Sequence, residues 1–541
     1  MRVRTTITGV AAVALVVVLS TWLRAQVTPQ DLRAGYKDAS KWVTFSGDYT
    51  GQRHSPLTQI APDNVGRLAV QWIFQGNPQG RLPGSPLVYD GVIYMTGPND
   101  SAWAVDARTG RQIWRYQRTL PNVVLCCGSI NRGFAMLGDR LFKATLDAHI
   151  VALSMRTGAI LWDTPMADYR QGYSATVAPI VVKDKVILGT AGGEYGARGF
   201  IDAYDAATGK RAWRFNVVPG PGEPGFETWK GRDSQAWEHG GGPIWVPGSY
   251  DPETNLVYWG TGNPSPNYDG SNREGDNLYT ASLVALDADT GALRWHYQFT
   301  PHDTHDWDSA HVPVLADLTI AGKLRKVVAM ANRNGFFYVL DRVTGVPILA
   351  KPFVQTTWAK EIGKDGRPIL LPNSEPSEPG TRICPDQVGG TNGNVPSMDP
   401  SRGLFFVTAR EICGVYYSWK LDFTPAQNFR AGQVRRDPDH DPDVYTALRA
   451  IDVVTGERRW EFRYPSSTWA GTMSTASGLV FSGNDQGNIM AFDARTGKNL
   501  WWFETGGAIN ATTTYMLDGR QYVLVPAGSN LVAFALPPPG R

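Results

Sequence analysis

VALDADTGALRW, residues 284–295, opens on an extended apolar run, turns at Asp-x-x-Thr-Gly and leaves on a second run ending in Trp. The same pattern recurs as WAVDARTGRQIW (103–114), VALSMRTGAILW (151–162), DAYDAATGKRAW (202–213), YVLDRVTGVPI (338–348), RAIDVVTGERRW (449–460) and MAFDARTGKNLW (490–501). Each copy reads as strand, tight turn, strand. The Asp caps the turn through its side chain, and the glycine (110, 158, 209, 291, 345, 456 or 497) supplies positive φ. The Trp then packs between neighbouring units, where its large area counts most. Units of about 40–50 residues with this content are four-stranded propeller blades.

Working outward, seven copies are visible. An eighth blade closes from both ends, with LVAFAL (531–536) beside LAVQW (68–72), which removes free sheet edges. The expected fold is therefore all-β: an eight-bladed β-propeller of four-stranded blades with inserted loops, one domain over 26–541. The long intervals between glycines 209 and 291 and between 345 and 456 place insertions at about 214–280 and 350–445. Long loops on a rigid scaffold are where function sits. Taken alone, the repeat fits a binding scaffold without chemistry.

Composition agrees. The 541 residues include 58 Gly, 37 Pro and 19 Trp with only 19% charged, which excludes helical bundles and coiled coils. With 42% apolar and 11% aromatic residues, disorder is excluded too. A formal charge of +2 gives no basic stripe for nucleic acid.

Residues 1–25 read as a signal peptide: Arg2 and Arg4, an apolar run from Ile7 to Leu19, then a cleavage site at Leu23-Arg24-Ala25. Its removal takes three arginines with it, and the alternative is an uncleaved anchor. No other stretch is apolar enough for membrane insertion. In an exported chain the four cysteines 126, 127, 384 and 413 point to two disulfides, for which three pairings exist, against free thiols at 126 and 127. No C-x-x-C-H haem attachment and no G-x-G-x-x-G nucleotide site occurs.

Four stretches carry chemistry. In LCCGSINRG (125–133), a bond between adjacent cysteines would close a strained eight-membered ring, which persists only where its surroundings over-determine it. GTAGGEYGARG (189–199) surrounds Glu194 with glycines that let backbone approach a ligand, or is simply a turn. GGGPIWVPGSYDPETNLVYWGTGNPSP (240–266) offers Trp245 to a cavity or to the core, and places Asn263 in a turn. TPHDTHDWDSAH (300–311) puts Asp306 and Asp308 on one face of an extended segment, where paired carboxylates call for a cation. Zinc on His302, His305 and His311 lacks helical spacing, so a hard cation held by oxygen is the better reading.

Together these stretches, with WVTFSGDYTGQRHSPLTQI (42–60) and NRNG (332–335), resemble the pyrroloquinoline quinone (PQQ)-dependent alcohol dehydrogenases, lanthanide-dependent type. The resemblance implies a Cys126–Cys127 ring on one face of the quinone and Trp245 on the other. Arg132, Thr145, Ala191, Gly192, Gly193, Arg333, Asn392 and Trp469 would complete the cofactor pocket. Glu194, Asn263, Asp306 and Asp308 would hold the metal, with Asp306 also the catalytic base. Cys384 and Cys413 match the family's second disulfide. An Asp two places after the base marks lanthanide-dependent members, so Asp308 implies a lanthanide(III) ion, with Ca²⁺ the alternative. Three carboxylates before PQQ adds its own charge favour the trivalent ion, the stronger Lewis acid.

Departures from relatives are Pro83, where some have a Glu reaching PQQ, Pro243, where others have Thr, Ala191 for Ser, and VPAGSN (525–530), which lacks a Trp found in methanol-specialised members. The implied activity is periplasmic oxidation of primary alcohols to aldehydes by hydride transfer to PQQ. A separate periplasmic cytochrome c takes the electrons, and a homodimer is allowed. The rivals are a PQQ-dependent sugar or polyol dehydrogenase and a non-catalytic propeller scaffold.

Overall fold

The computed structural model describes residues 26–77, 80–231, 233–436 and 444–538; the signal-peptide reading lies outside these. Among the described residues seven four-stranded sheets and one five-stranded sheet carry the fold, their strands mostly antiparallel and mostly consecutive in sequence. One example runs Ser249–Asp251, Leu256–Gly260, Ser282–Asp287 and Leu293–Gln298. The one α-helix among the described residues, the short Pro29–Ala34, is boxed at its start by Thr28 and Asp31. No helix among the described residues is long and apolar enough to cross a membrane.

The repeat motif is the turn between the third and fourth strand of a sheet. Asp287 Oδ1 accepts from the amides of Asp289 and Thr290 and from the Thr290 hydroxyl. Asp106, Asp205, Asp341 and Asp493 take the same three donors. The glycine does more than supply positive φ. A Cβ on Gly291 would lie 2.5 Å from the Trp213 ring, and one on Gly345 or Gly497 would strike Trp295 or Trp460 equally hard. Each of these indoles lies flat on the next sheet's turn and donates Nε1 to its backbone, as Trp213 does to Ala288 O and Trp295 to Arg342 O. Where the repeat lacks its Trp, at Val346–Ile348, Gly456 meets Leu349 instead.

Ala69–Gln75 pairs antiparallel with Asn530–Ala535, Trp72 opposite Ala533, so chain start and end share one sheet. The insertions are narrower than the glycine spacings imply. Ser249–Asp251, Leu256–Gly260 and Leu404–Glu411 are sheet strands, and inside the second insertion lie a hairpin, Ala359–Ile362 with Pro368–Leu370, and a three-stranded sheet.

The segment from Trp42 to Ser55 crosses from sheet to sheet. Trp42 pairs with Val88, Tyr49 bonds Val181 O and the Tyr250 amide, Thr50 O accepts from Leu315, and Gln52 O accepts from Met398. His54–Ser55 then lies parallel on Ser474–Thr475 as a fifth strand. Arg53, fully buried, donates to the carbonyls of Phe45, Thr472 and Thr512 and to Ser85 Oγ.

Candidate active site

A cavity of about 440 Å³ collects residues from loops far apart in sequence. Cys126 and Cys127 are bonded to each other, with Cα atoms 3.8 Å apart, and both line it. Cys384 and Cys413 form the second disulfide. Trp245 lines the cavity with Arg132, whose guanidinium lies 4.6 Å over the indole and donates to Thr176. Three glycines precede Trp245 because the loop packs too closely for side chains; a Cβ on Gly242 would lie 2.6 Å from Val217.

The carboxylates converge here. Glu194 sits in the single turn Gly193–Tyr195 between left-handed glycines 192 and 196. Asp306 has φ +65°, a region that Asp tolerates better than most side chains, and this turn is part of how its carboxyl reaches the cavity. Asp303 organises the loop, accepting from the amides of His305 and Trp307. Asp308 is caged: Oδ1 accepts from the Asn263 amide at 2.9 Å, and Oδ2 from Trp245 Nε1 at 2.9 Å and Arg333 Nη1 at 2.5 Å. Of roughly four acceptor positions on a carboxylate, one on Oδ1 remains. Gly262 must lack a Cβ, which would lie 2.4 Å from that oxygen.

Burial pushes Asp306 up to about 8; Arg333 opposes the shift, and Asp308 and Glu194 add to it. Burial likewise raises Asp308 and Glu194. Tyr268 OH lies 2.6 Å from Gln387 Oε1 and 3.3 Å from Asp306 Oδ2. One hydroxyl proton cannot serve both, and the shorter contact takes it.

Of the residues expected from sequence, Cys126, Cys127, Arg132, Ala191, Gly192, Glu194, Trp245, Asp306, Asp308, Arg333, Asn392 and Trp469 line the cavity. Thr145, Gly193 and Asn263 do not. Thr145 is tied into its own turn with Asp147 and His149, and Thr176 faces the cavity instead. Gly193 accepts from Ser265 Oγ behind the wall. Asn263 is buried with its Nδ2 on Pro264 O, leaving Oδ1 as the atom it could offer. The three histidines do not converge: His302 bonds Gly275 O, His305 bonds Ser374 O, and His311 accepts from the Arg333 amide. Sequence reasoning missed Tyr268, Gln387 and Arg430. Tyr268 stands just beyond the quoted Gly-Thr-Gly-Asn-Pro run and Gln387 just before Gly-Gly-Thr-Asn, so proximity to a motif was the only signal.

The residues fit a flat, polar-edged quinone and a cation. A disulfide and an indole face one cavity, among the described residues the buried Arg333 Nε and Thr391 Oγ1 lack partners, and three carboxylates cluster there against Arg132, Arg333 and Arg430. Glu194 lies within 4.8 Å of both sulfurs, but sulfurs bonded to each other are not thiolate ligands, so that trio is no metal centre.

The chain matches the family described as PQQ: Glucose/ethanol/alcohol dehydrogenase, beta-propeller domain, over residues 42–368 and 464–523. It belongs to the PQQ-dependent alcohol dehydrogenase family. It is 40% identical to quinohemoprotein alcohol dehydrogenase ADH IIB of Pseudomonas putida, covering 94% of this chain and 76% of that one. With quinoprotein alcohol dehydrogenase PedH of P. putida it shares 37% identity over 96% and 91% of the two chains. A europium-containing methanol dehydrogenase superposes with a TM-score of 0.89 at 33% identity, covering 94% of this chain and all of that one. The all-β sheets are thus those of a quinoprotein propeller.

Proposed function

We propose that this quinoprotein oxidises primary alcohols to aldehydes in the periplasm, with its eight sheets as eight blades and a cytochrome c as electron acceptor. The observation that carries the reading is Asp306: a carboxyl in a left-handed turn, facing a cavity between a vicinal disulfide and an indole. Cys126–Cys127 and Trp245 would hold PQQ between them, with Arg132, Arg333 and Asn392 at its polar edges. Glu194, Asp306 and the remaining Oδ1 position of Asp308, with Asn263 Oδ1 behind, would hold the cation. Bound there, the quinone supplies the two-electron oxidant and the cation a Lewis acid.

The chain's own residues do the rest. With a cation held there, Asp306 would stand ionised and could take the alcohol's hydroxyl proton, as a base within hydrogen-bond reach can. Tyr268 and Gln387 orient that carboxyl. Arg333, fixed by Asp308 and Gln387 O, sets a positive charge where negative charge develops. The cation is a lanthanide(III) ion in this reading, with Ca²⁺ the alternative, because Asp308 adds a third carboxylate beside Glu194 and Asp306.

The test uses metal-stripped protein given PQQ with La³⁺ or Ca²⁺ and assayed for dye-linked ethanol oxidation. Activity with La³⁺ alone supports the trivalent site. Equal activity with Ca²⁺ assigns Asp308 to holding Arg333 and Trp245. No turnover and no retained PQQ absorbance sinks the enzymatic reading.

A further inference from the structure

Asn263 comes from the loop after Leu256–Gly260, and Asp306 and Asp308 come from the loop before Val314–Ile320. At the cavity the two loops meet through the Asn263 amide on Asp308 Oδ1. Arg273, which does not line the cavity, ties the same two loops a second time. It is fully buried, and one of its nitrogens, Nη2, donates both to Pro266 O at 2.9 Å and to Asp303 O at 2.7 Å. Nε also reaches Pro266 O at 3.3 Å. Nη1 donates to Asn277 Oδ1 at 2.7 Å, and Asn277 Nδ2 returns to Arg273 O at 2.6 Å. Both carbonyls sit beside the site: Pro266 lies between Asn263 and Tyr268, and Asp303 orders the amides of His305 and Trp307 on either side of Asp306. The turn that carries Arg273 is itself held to the second loop, where His302 donates from Nδ1 to Gly275 O and from its amide to Asp276 O.

Among the described residues the partners of this guanidinium are three neutral oxygens and no carboxylate. An apolar side chain would fill the space without desolvating a charge. What Arg alone supplies is a rigid, planar fork of donors. Because a single nitrogen bonds both carbonyls, the two loops cannot part without breaking one of these bonds. A hard cation holds its oxygens within a narrow range of distance, and groups that orient the ligands, without touching the ion, tune its affinity. We propose that Arg273 is a positioning residue that sets the spacing between Asn263 and the Asp306–Asp308 loop, and with it the grip of the site on its cation. This rests on the cation reading above and adds to it the part that holds its two halves in register.

Metal-stripped protein supplied with PQQ is titrated by calorimetry with La³⁺ and, separately, with Ca²⁺. Wild type, Arg273→Met, Arg273→Lys and Asn277→Gly are compared, and near-UV circular dichroism establishes that each is folded. Asn277→Gly releases the brace on Nη1 while keeping the backbone, since φ is +58° there and glycine accepts it. Expected is a cation affinity lower by roughly 10- to 100-fold in Arg273→Met, the range for groups that orient metal ligands, with a smaller loss in Asn277→Gly. Arg273→Lys keeps the charge without the fork and should fall short of wild type. A purely structural arginine would lower the thermal midpoint and leave the affinity of the folded variants where it was; that result overturns the proposal. So does full recovery in Arg273→Lys, which would make the charge and not the bridge the active part. Should Arg273→Met fail to fold, Asn277→Gly decides, and an unchanged affinity there overturns the proposal. Wild type that takes up neither ion fails the cation reading and this proposal with it, whereas uptake by wild type and variants alike fails the proposal alone.

Discussion

Asp306 and Asp308 are two residues apart and do different work. Among the described residues Asp306 has only the long contact to Tyr268, whereas Asp308 has three donors on it. Asp306→Asn should therefore cut kcat roughly 10²- to 10⁴-fold, the span of general-base contributions, while PQQ absorbance is retained. Asp308→Ala removes the acceptor of a buried guanidinium. It should cost about 3–5 kcal/mol of stability, read as a lower denaturant midpoint, with Asp308→Asn milder. His311 gives the pH dependence. Burial, with Arg333 beside it, holds its ring down at about 3, against about 6.5 in an unfolded chain. Between those values only the unfolded state takes up the proton, so stability present above pH 6.5 is lost as the pH falls toward 3. Urea midpoints should drop across that window, and His311→Gln should flatten the slope. Most of the pocket was legible because Cys-Cys, Gly-Gly-Glu and Asp-x-Asp are local patterns. Thr176 and Tyr268 were not, since only the fold determines which hydroxyl of several near a motif turns inward.

At the scale of one element, the repeat turn was readable to the residue: Asp for the cap, Gly for the left-handed bend, Trp for the neighbour. What spacing could not reveal is that the Trp and the Gly of successive units are partners. That contact joins one unit to the next. Two alanine substitutions separate the glycine's two roles. Gly322 also has positive φ (+76°) but open space around it, so Gly322→Ala should cost about 1–2 kcal/mol for the backbone alone. Gly291→Ala adds a Cβ 2.5 Å from the Trp213 ring and should cost about 2–4 kcal/mol once overpacking is included. Thermal midpoints of the two variants check the order. The insertions were misjudged in extent because sheet strands such as Leu404–Glu411 lie inside them without a repeat motif of their own.

For the molecule as a whole, closure rests on Asn530–Ala535, which lies between Ala69–Gln75 and Arg520–Ala527. Deleting residues from 530 onward would leave two unpaired strand edges facing each other across a gap. Size-exclusion chromatography should then find aggregate in place of a monodisperse peak. The pairing of start with end was foreseeable from two apolar runs without partners. The route of Trp42–Ser55 was not, since its polar, glycine-containing sequence reads as a loop and its bonds are spread over distant strands.

That route also sets a timetable. One of the acceptors of Arg53, Thr512 O, comes 459 positions after it. Until residues 530–535 have emerged the strand at 69–75 has no pairing partner, and Arg53 holds only its nearer acceptors, Phe45 O and Ser85 Oγ. Pairings of such high sequence separation form slowly and leave the nascent product exposed to self-association. Closure therefore waits on residues 530–535, and until they are in place the incomplete sheets are open to self-association.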